Sequence, residues 1–266
     1  MDFKNTLLAF VGKRKPTKHL FVLLGIVAGL LLIVGLGAEV TRGSIDIFVP
    51  ERGARVVLDG KEVAVSEYEN QIMTLPYIPT GTHTVAVHKD GFFSWEKTLS
   101  VRRGETAEAS VFMIPENMTV EEVPLGQYNR VREIFAQNPA DAVKRANKKD
   151  VQIERDGSSL IARWISAEPG VPLPFYLCPS EDACASGVTF FTATDGAVGS
   201  FDFYPRRKDV ALVANNGNIY AVEIDKRPTQ NIQLVYTGTR PDFAIDRTTS
   251  TMYILDNGAY YRIRFR

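Results

Sequence analysis

The stretch NGNIYAVEI, residues 216–224, returns as NGAYYRIRF at residues 257–265, 41 positions further on. In both copies Asn-Gly opens a strand-like run with an aromatic centre and an apolar end. Asn-Gly between apolar runs is a strong hairpin signal, because both residues tolerate the positive φ of a type I′ turn. Each copy follows a second strand-like run, Val210–Ala214 in one case and Met252–Leu255 in the other. Ahead of those stand Phe201–Tyr204 and Asp242–Asp246. A looser copy begins at Val151–Trp164, with Phe175, Tyr176 and Leu177 in the aromatic position and Val188–Phe191 as its outer strand.

A period near 41 residues with four short strands per unit is the pattern of a propeller blade. The run resembles blades of WD-type and Tol-type propellers, although no full WD signature is present. Counting raises a problem, since the last unit shows only three strands before Arg266. A closed ring takes about four to eight blades. Three outcomes follow: an open stack or a sandwich that buries its own edges, an assembly completed by further copies or by a partner through the blade edges, or an ordinary β meander. Unpaired edges invite association, so a homo-oligomer is among the expectations.

Upstream, residues 115–150 read as a connector with short helices. Val131, Ile134 and Phe135 in YNRVREIFAQ, residues 128–137, have helical spacing. Asn138-Pro139 then reads as N-cap and first position of a second helix over residues 140–149, polar on most sides and basic at its end. Those lysines either complement the helix dipole or form a patch for anionic wall polymer.

Residues 44–114 alternate strand-like runs with turn signals. The runs are Ser44–Val49, Ala54–Asp59, Lys61–Val65, Ile72–Leu75, a strand carrying Val85 and Val87, Trp95–Val101 and Ala107–Met113. Asp59-Gly60 and Asp90-Gly91 mark turns. About seven strands in 70 residues predict a small antiparallel β-sandwich. The order Pro50-Glu51-Arg52-Gly53-Ala54, Asp59-Gly60-Lys61, Pro79-Thr80-Gly81-Thr82-His83-Thr84-Val85 and Lys89-Asp90-Gly91-Phe92 resembles a PEGA domain. Arg52 interrupts the Pro-Glu-Gly-Ala string, and Phe92 stands where the family usually has tyrosine. The resemblance implies a surface β-sandwich of bacterial or archaeal proteins and carries no catalytic residues with it.

At the N-terminus, Leu20–Gly37 is a run of 18 residues without a charge, and Ala38 extends it to Glu39. As a helix it measures roughly 27 Å, close to a bilayer's hydrocarbon thickness. Lys4, Lys13, Arg14, Lys15 and Lys18 precede it, so residues 1–19 are expected to form a cytoplasmic basic tail and residues 20–38 a transmembrane signal anchor. Everything from residue 39 onward is then extracytoplasmic. A cleaved signal peptide is the rival, opposed by the length of the apolar run and by poor cleavage sites.

The chain has 31 basic and 31 acidic residues and no nucleic-acid motif, which removes nucleic acid as a partner. Its two cysteines, Cys178 and Cys184, enclose a short polar loop, and in an oxidising compartment they are expected to form a structural disulfide. Catalytic constellations are missing. His83 and His88 fall on opposite faces of one strand, and no nucleophile elbow, zincin, P-loop or dinucleotide motif occurs. Asp202, Asp225, Asp242, Asp246 and Asp256 recur near strand ends, where such residues cap turns. Phe92, Phe93 and Trp95 cluster at one turn and read either as core or as an exposed docking tip.

The fold class expected is therefore mainly β: one transmembrane helix, a small antiparallel sandwich over residues 44–114, a helical connector and a blade-like repeat over residues 151–266. Neither a cofactor nor a metal is implied. The expected work is binding or scaffolding at the envelope, with wall polymer or another envelope protein as partner, and no enzyme activity. A sensor or accessory subunit is one alternative, handicapped by the short cytoplasmic tail, and a wall-glycan hydrolase is another.

Overall fold

The computed structural model describes residues 41–140, 142–145, 150–165, 173–177, 187–194 and 197–265. The expected span 20–38 and the cysteines Cys178 and Cys184 lie outside these residues. Among the described residues no helix is long and apolar enough to cross a membrane.

Seven strands make the first unit: β1 (Arg42–Val49), β2 (Arg55–Leu58), β3 (Lys61–Val65), β4 (Gln71–Pro79), β5 (Gly81–His88), β6 (Trp95–Val101) and β7 (Thr106–Ser110). They form two facing sheets, ordered β4-β1-β7 and β3-β2-β5-β6. Alternation explains the core: Ile45, Ile47 and Val49 of β1 face inward, opposite Val85 and Val87 of β5 and Leu99 and Val101 of β6. Asp59 and Gly60 both hold positive φ, as the type I′ turn between β2 and β3 requires. The Asp59 carboxylate then accepts the Thr84 amide at 2.9 Å and meets His83 Nδ1 at 2.7 Å, tying that hairpin to β5. One expectation is corrected. The sandwich is not wholly antiparallel, because β1 and β7 pair in parallel. The β6–β7 turn carries the chain from one sheet to the other, so β7 arrives alongside β1 and not as its hairpin partner.

The second unit holds three four-stranded sheets. The first is β9 (Lys144–Arg145), β10 (Val151–Asp156), β11 (Ser159–Trp164) and β12 (Val188–Thr192). The second is β13 (Phe201–Phe203), β14 (Val210–Asn215), β15 (Asn218–Glu223) and β16 (Ile232–Thr237). In the third, β17 (Asp242–Asp246), β18 (Thr251–Asp256) and β19 (Ala259–Arg264) are joined by β8 (Glu121–Glu122) from the connector. The three-stranded last unit is thus completed within the chain. Val123 donates its amide to Tyr260 O at 2.8 Å, and Arg262 Nε holds Glu121 at 2.8 Å.

The sheets stand as an open stack and not as a closed ring. One face of the second sheet packs on the first through Phe201, Phe203, Ala211, Val213 and Val222. Its other face, with Val210, Leu212 and Ile219, shares a core with Phe243, Ile245, Met252 and Ile254 of the third. The far face of the third sheet is covered by α1 (Tyr128–Gln137), whose Tyr128 meets Tyr260 edge-on at 4.8 Å. Two further expectations are corrected here. Asn138 ends α1, donating its side-chain amide to Ile134 O at 2.9 Å, and residues 144–145 are strand where a second helix was expected. Residues 175–177 form a 3-10 turn and not an aromatic strand.

Sandwich and stack share that middle core, and a polar seam runs along it. Lys97 is fully buried on β6, with its ammonium 2.6 Å from Glu223 and 3.1 Å from the carbonyls of Asp225 and Arg227. Asn231 accepts the Glu96 amide at 3.1 Å and donates to the Glu96 carbonyl at 2.8 Å. Two residues on, Gln233 accepts from Ile114 N at 3.0 Å and donates to Phe112 O at 3.2 Å. Burial pushes the Glu223 carboxyl up, against the pull of Lys97 and Asn231.

Lys97→Met leaves Glu223 buried without its counter-charge, and we expect a loss of about 3–5 kcal/mol in denaturant unfolding. The double variant K97M/E223Q removes the stranded charge and should recover part of that loss. A second expectation concerns His83. Burial lowers its pKa, but the Asp59 carboxylate and the Pro79 carbonyl outweigh that and hold it above its ordinary 6.5. The stability it adds is therefore full below that value and is lost as pH rises through the raised one. His83→Gln should flatten the urea midpoint profile from about pH 6 upward.

Candidate functional site

The residues singled out as a docking tip occupy different places. Trp95 is fully buried and donates its indole N–H to Glu223 at 3.3 Å, so it presents no surface to an outside partner. Phe92 and Phe93 are half-buried against the shared core, and the Lys89 ammonium lies 4.5 Å over the Phe92 ring. The cluster packs the sandwich and seats it on the stack. His83 and His88 hold different partners, Asp59 and Ser94 respectively. Among the described residues no group of three metal-ligating side chains occurs.

The recurrent aspartates close turns. Asp242 accepts the Phe243 amide at 2.8 Å, and Asp246 accepts that of Thr248 at 3.0 Å. Asp225 pairs with Arg227 at 2.6 Å. Asp202 pairs with Arg247 at 2.6 Å, while the same guanidinium reaches Arg145 O at 2.8 Å, so Arg247, just past β17, ties together one edge of each of the three sheets. Asp256 is the most elaborate. It accepts Arg240 N at 3.0 Å, Thr239 N at 3.2 Å and the Tyr236 hydroxyl at 3.2 Å. These donors, Arg240's amide first, hold its carboxyl below the usual range against the cost of burial. In return, burial and then Asp256 push the Tyr236 phenol up to about 12.

That capped loop forms one wall of an open cleft of about 620 Å³ at one pole of the stack. The β14–β15 turn, with Asn216 and Gly217 at positive φ, supplies a second wall together with Asn215. Ser200 at the head of β13 lies between them, its hydroxyl held by Phe243 N at 3.0 Å. Arg155, at the end of β10, closes the third side. Its guanidinium donates to Gly199 O at 2.5 Å and lies 5.6 Å from the Phe201 ring. Two polar atoms here, Arg155 Nε and Asn215 Oδ1, are buried and have no hydrogen-bond partner among the described residues. Arg240 is exposed at the rim and Asp242 half-buried below it. The lining offers fixed donors and acceptors, two guanidinium groups and no paired carboxylates set for acid–base work. Only the Asn-Gly turn and the capping aspartates announced this pole in the sequence; Arg155 and Arg240 carried no signal.

Residues 43–117 match the PEGA domain model, so the sandwich is a PEGA domain. No curated protein matches the chain. The PEGA assignment defines a surface-type binding module, and the cleft lies outside it, on the stack.

Gly238 packs against the Asp256 carboxylate and the Tyr236 ring so closely that a Cβ would collide with both. Gly238→Ala should displace the capped loop and cost about 1–3 kcal/mol, read as a lower Tm in thermal unfolding.

Proposed function

We propose that this protein is a single-pass envelope protein, N-terminus inside, whose PEGA domain and β-stack act outside the cell as one binding body. The observation that carries this reading is the polar cleft beside Arg155 and Arg240, on a stack that shares its core with a PEGA domain. The PEGA match supports a surface setting, and the apolar run 20–37 with its upstream lysines supports an anchor. The work is recognition and not turnover, since the strand-end carboxylates are spent on turns and ion pairs. The ligand suited to the cleft is an anionic wall polymer, with the two arginines as its charged contacts.

The test is calorimetric titration of the full chain in detergent with soluble wall-polymer fragments. Saturable binding that weakens about tenfold, roughly 1.4 kcal/mol, in R155A/R240A supports the cleft. Binding unchanged by that variant moves the site elsewhere. No binding by any wall fraction, with a protein partner recovered by crosslinking in intact membranes, replaces the polymer with an envelope protein.

A further inference from the structure

One pole of the sandwich gathers three chain segments. Arg42 opens β1, residues 79–81 turn from β4 to β5, and residues 102–105 turn from β6 to β7. Thr80 N donates to Thr41 O at 2.9 Å, Gly104 N to Arg42 O at 2.9 Å and Ser44 N to Glu105 O at 3.0 Å, so the three move as one. Arg42, Arg102 and Arg103 are all exposed here, and among the described residues of these segments Glu105 is the one acid, 4.0 Å from Arg102. Among the described residues Arg42 and Arg103 make no ion pair.

Beside this pole β4 carries a bulge. Gly43 pairs with Ile78 but Ile45 with Leu75, leaving one extra residue on β4. Tyr77 sits there at φ +61, an uncommon conformation for a bulky residue, and its side chain is 71 % exposed. The bulge leaves an aromatic ring exposed two residues before Pro79, which pairs with Arg42, and a phenol ring with guanidinium groups at one pole is the combination that suits a lipid headgroup layer.

Chain length fixes what lies opposite. Resting on the signal-anchor reading, the apolar run ends at Ala38, four residues before Arg42. Four residues span at most about 14 Å, so this pole is held within reach of the bilayer surface. We infer that the PEGA domain rests on the outer leaflet through Arg42, Arg102, Arg103 and Tyr77, which bind the phosphates of anionic phospholipid headgroups. The tethered body is then seated on the membrane and does not swing from it.

The experiment reconstitutes the full chain in nanodiscs of phosphatidylcholine, with or without phosphatidylglycerol, and follows amide hydrogen exchange by mass spectrometry. Exchange over residues 77–82 and 101–106 should slow several-fold when phosphatidylglycerol is present. R102E/R103E, which alters only exposed turn residues, should abolish that slowing, with thermal unfolding unchanged. Arg52→Glu, on an exposed turn of the same domain away from this pole, should leave it intact. Equal exchange in both bilayers and in detergent overturns the headgroup contact while the anchor stands. A chain that fails to enter nanodiscs removes the anchor and the contact together.

Discussion

The buried charge pair between Lys97 and Glu223 constrains more of this molecule than any other contact. A lysine in the inward register of β6, between Trp95 and Leu99, has no apolar solution; it needs an acceptor set delivered by another element. Glu223 and the carbonyls of Asp225 and Arg227 are that set, and they are available only when the β15–β16 connection lies across β6. Such a pair adds little net stability, because desolvation consumes most of its Coulomb energy. What it fixes is register. Shifting the stack by one residue along β6 would bury a lysine against apolar groups, so the two units have one seating.

The amides of Asn231 and Gln233 extend that logic. Each uses both of its side-chain functions on sandwich backbone, Asn231 on residue 96 and Gln233 on residues 112 and 114. They serve as a strand would, satisfying an edge without placing a further strand there. An exposed β6 edge would be a template for another chain. The third sheet solves the same problem by borrowing β8, so the chain's own connector occupies the position that a second copy could have taken. The last sheet thus reaches four strands within one chain.

Legibility followed the locality of the signal. Asn216-Gly217, Asn257-Gly258 and Asp59-Gly60 are two-residue turns whose conformation is set by the residues themselves, and each forms a hairpin where the sequence places it. Asp225, Asp242 and Asp246 were readable for the same reason, since each bonds an amide one or two residues away. The failures depend on partners that the local pattern does not name. Nothing local in Glu121-Glu122 marks a strand, because only Tyr261 and Arg262 make it one. Asn138-Pro139 fits a helix start by local preference, but the side chain found Ile134 O behind it and ended α1 instead. Trp95 read as core or surface because its neighbours are polar; the polar Lys97 two residues on was the clue that this face meets a second unit.

A body seated in this way differs mechanically from a pair of domains on a hinge. Hinges sit where few contacts cross, and relative motion is the default only when an interface is small and wet. Here buried Phe112 and Ile114 of the sandwich lie in one apolar core with Leu212, Ile254 and Phe265 of the stack. The cleft walls come from the stack and from Ala140 of the connector, and the loop at residues 239–240 is braced by Asp256. The cleft needs no closure between the two units to form, because its polar groups are already in place. Preorganised donors bind at lower entropic cost. For the binding role proposed above, a preformed cleft suits display and scaffolding, since signal transmission needs a second state for the ligand to select.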